Sequence, residues 1–140
     1  MLQFSSMRFF IYGVIFLGAC SSQASMFRNI EKLRSRDIES LSVEERLELE
    51  MADLFAKTER YISLDQFDEA LSLIQPIMSE HPTTFYSDKA YYTRGTIFTQ
   101  MLNFHRDLDK AAAAFRMVIA SEPVTVFADR AQESLKRITK

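Results

Sequence analysis

The chain has 140 residues, about one domain by length, and its apolar content of 47% suffices for a modest core. Three glycines and three prolines are too few for the turns of an all-β chain, so the composition points to helices. A net charge of −2 implies no general attraction to nucleic acid, and the single cysteine excludes an internal disulfide and a cysteine-based metal site.

Residues 1–19 carry one charge, Arg8, followed by the apolar run Phe9–Leu17, broken only by Gly13. That run is shorter than the roughly 20 apolar residues a bilayer span needs. A basic start, a short apolar stretch and small residues describe a secretory signal peptide, beginning at Met1 or at Met7. Leu17-Gly18-Ala19-Cys20 resembles the lipobox of bacterial lipoproteins. The resemblance implies cleavage before Cys20 and acylation of its thiol, with several acyl chains giving stable membrane anchoring. The alternative is an ordinary signal peptide with an unrelated cysteine. Ser21-Ser22 follow, without the aspartate that retains enteric lipoproteins in the inner membrane. The resemblance therefore implies a lipid anchor in the outer membrane, on its periplasmic side.

Residues 20–42 read as a lipidated N-terminus and tether, with the folded domain over 43–140. Within the tether, Met26–Leu41 is either a short helix or a loose segment. Its basic residues Arg28, Lys32, Arg34 and Arg36 suit anionic headgroups, but Glu31, Asp37 and Glu39 are interleaved, which favours a solvated linker. Ser42-Val43-Glu44-Glu45 predicts a capping box opening a helix, with Leu47, Met51, Leu54, Phe55 and Tyr61 as its apolar stripe and an end near Ser63–Gln66.

The stretch Phe67–Ala90 then recurs 41 residues later as Leu108–Ala131. Phe67, Ala70, Leu71, Ile74, Ile77 and Met78 align with Leu108, Ala111, Ala112, Phe115, Val118 and Ile119. Pro82, Thr84, Asp88, Lys89 and Ala90 align with Pro123, Thr125, Asp129, Arg130 and Ala131. Both apolar sets trace one face of a helix that meets a proline, after which a new helix begins. Pro76 falls inside the first of these helices, removes a bond to the Ser72 carbonyl and predicts a kink. Such a unit, repeated, predicts an all-α array of about two helical hairpins and a C-terminal capping helix over Val124–Ile138. That last helix has Phe127, Ala131, Leu135 and Ile138 inward and Arg130, Glu133 and Lys136 outward.

Tyr61, Ala70 nine residues later and Pro82 twelve after that follow the spacing of the tetratricopeptide repeat, which the region 43–140 resembles. Lys57 and Thr58 depart from the motif, where a large apolar and a small residue are usual. Gly95 and Phe98 supply the small and aromatic positions of the second unit, but Phe98 lies 13 residues before Ala111, which predicts an extra helical turn or a longer loop at Asn103–Asp107. Lipobox, tether and repeats together look most like the periplasmic lipoproteins of outer-membrane β-barrel assembly and related envelope adaptors. Those have about five repeats; this chain has about half as many.

The resemblance implies a groove, lined by the first helix of each hairpin, for an envelope protein or peptide segment. By position it points to Phe55, Glu59 and Ile62 in the first unit and to Lys89, Tyr92, Thr96 and Thr99 in the second. Phe55 and Tyr92 are alternatively packing residues. It also implies a scaffold, or alternatively a pilotin-like carrier for secretin or pilus assembly. A peptidoglycan-remodelling enzyme is the third reading, but no phosphate loop, catalytic triad or cofactor motif stands in the sequence. His105, Asp107 and Asp109 form the one ligand-like cluster, a poor metal cage in a loop; His81 sits at a helix C-terminus.

Overall fold

The computed structural model describes residues 28–122 and 124–140. The signal peptide, Cys20, the Ser21–Ser25 linker and Pro123 lie outside the described residues. The chain divides into two compact units, residues 1–50 and 51–140. Every regular element among the described residues is helical: a stretch through 28–34, a 3₁₀ turn Ile38–Ser40, then α1 (Val43–Ser63), α2 (Phe67–Glu80), α3 (Phe85–Thr99), α4 (Leu108–Ile119) and α5 (Phe127–Ile138). The chain is all-α.

In the first unit the segment read as a tether or short helix is folded. Ile30, Leu33 and Leu41 are buried, so apolar burial rather than charge organises it. One of its basic residues is tied to the chain. Arg36 pairs with Glu45 at 2.5 Å and donates to the Ser40 carbonyl, and Asn29 donates to Glu48. The capping box forms: the Glu45 N–H donates to Ser42 Oγ at 3.1 Å and the Ser42 N–H to Glu45 Oε2 at 2.8 Å. That backbone bond, then Arg36, holds the Glu45 carboxyl below its usual range.

In the second unit the two aligned stretches share several buried positions. Ala70 and Ala111, Ile74 and Phe115, Ile77 and Val118, and Ala90 and Ala131 are all buried. Thr58, the departure from the repeat motif, is fully buried, with its hydroxyl donating to the Leu54 carbonyl. A short β-branched side chain takes the small position there because its hydroxyl is satisfied within the helix. Pro76 lies inside α2 without ending it. Helix α1 reaches α2 through a tight turn, with Asp65 in the left-handed region at φ 59° and the Gln66 N–H donating to the Tyr61 carbonyl. Between α3 and α4 the four extra residues form a longer loop, not an added turn of helix. Buried Asn103 pins that loop, its Nδ2 donating to the Ile97 carbonyl and its Oδ1 accepting from the His105 N–H. The Asp107 N–H closes it on the Phe98 carbonyl.

Helix α3 packs against α2, α4 and α5. It opens on a capping box that the sequence pattern did not flag, Thr84 with Ser87. It approaches α4 closely at Gly95: a Cβ added there would stand 2.5 Å from the Phe115 ring. At the other end, Thr125 Oγ1 donates at 2.8 Å to Asp88, whose carboxylate is buried in the first turn of α3. An acid there also meets the positive end of the helix dipole.

Two substitutions test this packing by urea denaturation. Gly95→Ala gains about 1 kcal/mol of helix propensity but forces Phe115 aside, for an expected net loss of about 1–3 kcal/mol. Phe115→Leu in the same chain should recover part of it, and a Gly95→Ala protein as stable as wild type would refute the close approach. Thr125→Val keeps the shape and strips Asp88 of its donor, with an expected loss of about 1–3 kcal/mol. A loss within about 0.5 kcal/mol, the range of ordinary surface substitutions, would show that the bond contributes nothing.

Candidate functional site

Of the seven positions expected to line a groove, three are linked in the structure. Phe55 lies on α1 and is buried; Lys89 lies on α3 and is half-buried, with its Nζ 4.2 Å from the centre of the Phe55 ring. Glu59, exposed and one helical turn beyond Phe55, is close enough to act on Lys89 electrostatically. The local reason is register. Asp88 and Ala90 are buried on either side of Lys89, which fixes where its stem leaves α3. Phe55 follows buried Met51 and precedes buried Thr58, on one face of α1.

The electrostatics are unbalanced. Burial pushes the Lys89 ammonium below its usual pKa, and the Glu59 charge opposes that shift without cancelling it. None of the described ion pairs uses Lys89. The aromatic face supplies a cation–π contact, which takes none of the three ammonium donors. The arrangement offers an anionic group a partly desolvated cation beside an apolar ring.

The other four positions behave differently. Tyr92 is half-buried, and its ring stands 5.8 Å from Phe115 and 5.6 Å from Phe127. It joins the cluster built on Phe98, Phe115, Val118 and Phe127, so it acts as a packing residue. The Thr96 and Thr99 hydroxyls donate to the Tyr92 and Thr96 carbonyls, and both side chains are half-buried. Ile62 is half-buried near the end of α1. The structure links Phe55, Glu59 and Lys89 directly, and Tyr92 packs within the aromatic cluster.

The His105–Asp109 region also resolves. Asp107 is the N-cap of α4: its carboxylate accepts from the Lys110 N–H at 2.9 Å and meets the Lys110 ammonium at 3.2 Å. That backbone bond, then the side chain, lowers the Asp107 pKa. His105 instead faces Asp68 of α2 at 3.7 Å. Among the described residues no group of three or more His, Cys, Asp or Glu side chains is placed to hold a metal ion. The residue pair that sequence reasoning missed is Asp88 with Thr125. Both stand at positions the 41-residue repeat marks, and the repetition was the available signal.

Lys89→Met keeps the apolar stem over Phe55 and removes the ammonium. Because the folded pKa lies below the unfolded value near 10.5, the unfolded chain binds more protons between the two values, and wild-type stability rises with pH through that window. The variant should therefore exceed wild type in stability at pH 7, with the difference shrinking as pH approaches 10.5. Paired urea titrations at pH 7 and pH 10 check this; a gap that widens would contradict it.

Comparison of the chain with protein families, with curated proteins and with solved structures finds no match.

Proposed function

We propose that this chain is a non-catalytic adaptor, held on the periplasmic side of the outer membrane by an acylated Cys20, that binds a segment of another envelope protein. The observation that carries the binding half is Lys89 over Phe55 beside Glu59. A desolvated ammonium costs folding free energy and gains most when a carboxylate arrives from outside. The partner segment is thus one that presents an acidic side chain or a terminal carboxylate next to an apolar residue. The anchoring half rests on the lipobox-like Leu17–Cys20.

Two experiments separate the halves. In a Gram-negative host, wild type should fractionate with outer membranes and Cys20→Ala should be released by osmotic shock. Membrane retention of Cys20→Ala would remove the lipid anchor from the proposal. A photo-crosslinking residue at Glu59, exposed beside the cluster, should capture a single envelope protein, and Lys89→Met should abolish the adduct; the same probe at Glu133 on α5 should capture none. Glu59 suits this better than Tyr92, whose ring is committed to the core. The captured protein distinguishes a β-barrel assembly scaffold from a secretin carrier. Equal capture from Glu59 and Glu133, or capture indifferent to Lys89, would sink the groove.

A further inference from the structure

The α3–α4 loop displays its apolar residues outward. Met101 is 86% exposed and Phe104 97%, with Leu102 also exposed between them. Single exposed apolar residues are ordinary, but three within four positions form a cluster of the kind that marks interaction sites. Here the polar residue is the one turned inward: Asn103 is buried and bonded to the Ile97 carbonyl and the His105 N–H. The closing bond from the Asp107 N–H to the Phe98 carbonyl fixes both ends. The outward apolar side chains are therefore held by the loop's own hydrogen bonds.

The loop faces the start of α2 across a cleft of about 330 Å³. Leu102 and Phe104 form one wall, and Asp65, Asp68 and Glu69 stand on the other, with His105 as the one basic group lining it. His105 is 3.7 Å from Asp68 and both are largely exposed, so water screens that pair. Three carboxylates against one imidazole leave the cleft negative.

The geometry points to a second docking surface, distinct from the Lys89 cluster, for a protein segment that presents a large apolar side chain next to a lysine or arginine. The apolar side chain covers Phe104 and Leu102 while the cation meets Asp68 and Glu69. Charge decides against a bilayer as the occupant. Anionic headgroups would be repelled by the same carboxylates, and apolar insertion of Met101 and Phe104 would carry those carboxylates towards the interface. The opposite charge preference also separates this surface from the Lys89 cluster, which favours an acidic segment.

The test is selection of a random dodecapeptide display library on the immobilised full chain, with counter-selection on the same chain carrying Met101→Ser and Phe104→Ser. The recovered peptides should share an aromatic or aliphatic residue beside Lys or Arg. Their Kd should weaken at least tenfold with Phe104→Ser alone, at least fivefold with Asp68→Asn plus Glu69→Gln, and further with added salt. Glu80→Lys, at the far end of α2, should leave it unchanged, and thermal melts should show every variant folded. Failure to recover peptides that distinguish the two chains would overturn the proposal. So would recovered peptides that are acidic or indifferent to Asp68 and Glu69. Binding of phosphatidylcholine–phosphatidylglycerol vesicles that is lost with Met101→Ser and Phe104→Ser would overturn it in favour of a membrane. The Lys89→Met crosslinking experiment reads the other surface, so either can fail alone.

Discussion

The approach of Phe115 to Gly95 sets the position of α3, and most of the second unit is described by what α3 touches. An aromatic ring lies where any other residue would place a Cβ. The two helices can pack this closely because one of them gives up its side chain at that level, and close-packed interiors leave no slack to absorb an added atom. With α4 fixed, the same ring meets Tyr92, and Tyr92 meets Phe127 of α5. The Asp88–Thr125 bond then ties the beginning of α3 to the entry of α5. One helix thus holds α4 and α5, through a missing side chain, a shared aromatic cluster and a buried carboxylate.

That crowding explains which parts were legible in the sequence. Helices α2, α4 and α5 each bury one face, and their apolar spacing gave their boundaries closely. Helix α3 buries Ser87, Asp88, Ala90, Gly95, Ile97 and Phe98, which share no single stripe, because neighbours approach it from several sides. Its existence was inferred from its place in the repeat, not from its own pattern. The loop at Gln100–Asp107 was visible only as a surplus of four residues. Its conformation depends on Asn103 reaching back six residues to Ile97, a contact no local rule marks. The segment through 28–41 was ambiguous for another reason: three buried apolar residues stand among many charges, and composition weighs the charges.

The candidate site divides along the same line. Positions on α1 and α3 were chosen by analogy with a groove, which specifies helix faces but not the size of the side chains opposite. Lys89 and Phe55 meet because both lie where the two helices face. Tyr92, one turn further along α3, meets two other aromatic rings first and is drawn into the core. A tyrosine ring is large enough to reach whichever neighbour is nearest, so its role follows packing that a single sequence does not reveal.

Asp88 and Lys89 are adjacent, yet their charges are treated in opposite ways. Asp88 is buried with a donor from Thr125 and lies in the first turn of a helix, so its desolvation is compensated inside the fold. Lys89 receives an aromatic face and the charge of Glu59, and its charged form is still disfavoured. One repeat later, Asp129 is exposed and Arg130 half-buried, so neither behaviour belongs to the residue types. Asp88 meets Thr125 at the entry of α5, and Lys89 meets Phe55 of α1. The fold thus compensates the charge of one residue and leaves the charged form of the next disfavoured, at two consecutive positions of α3.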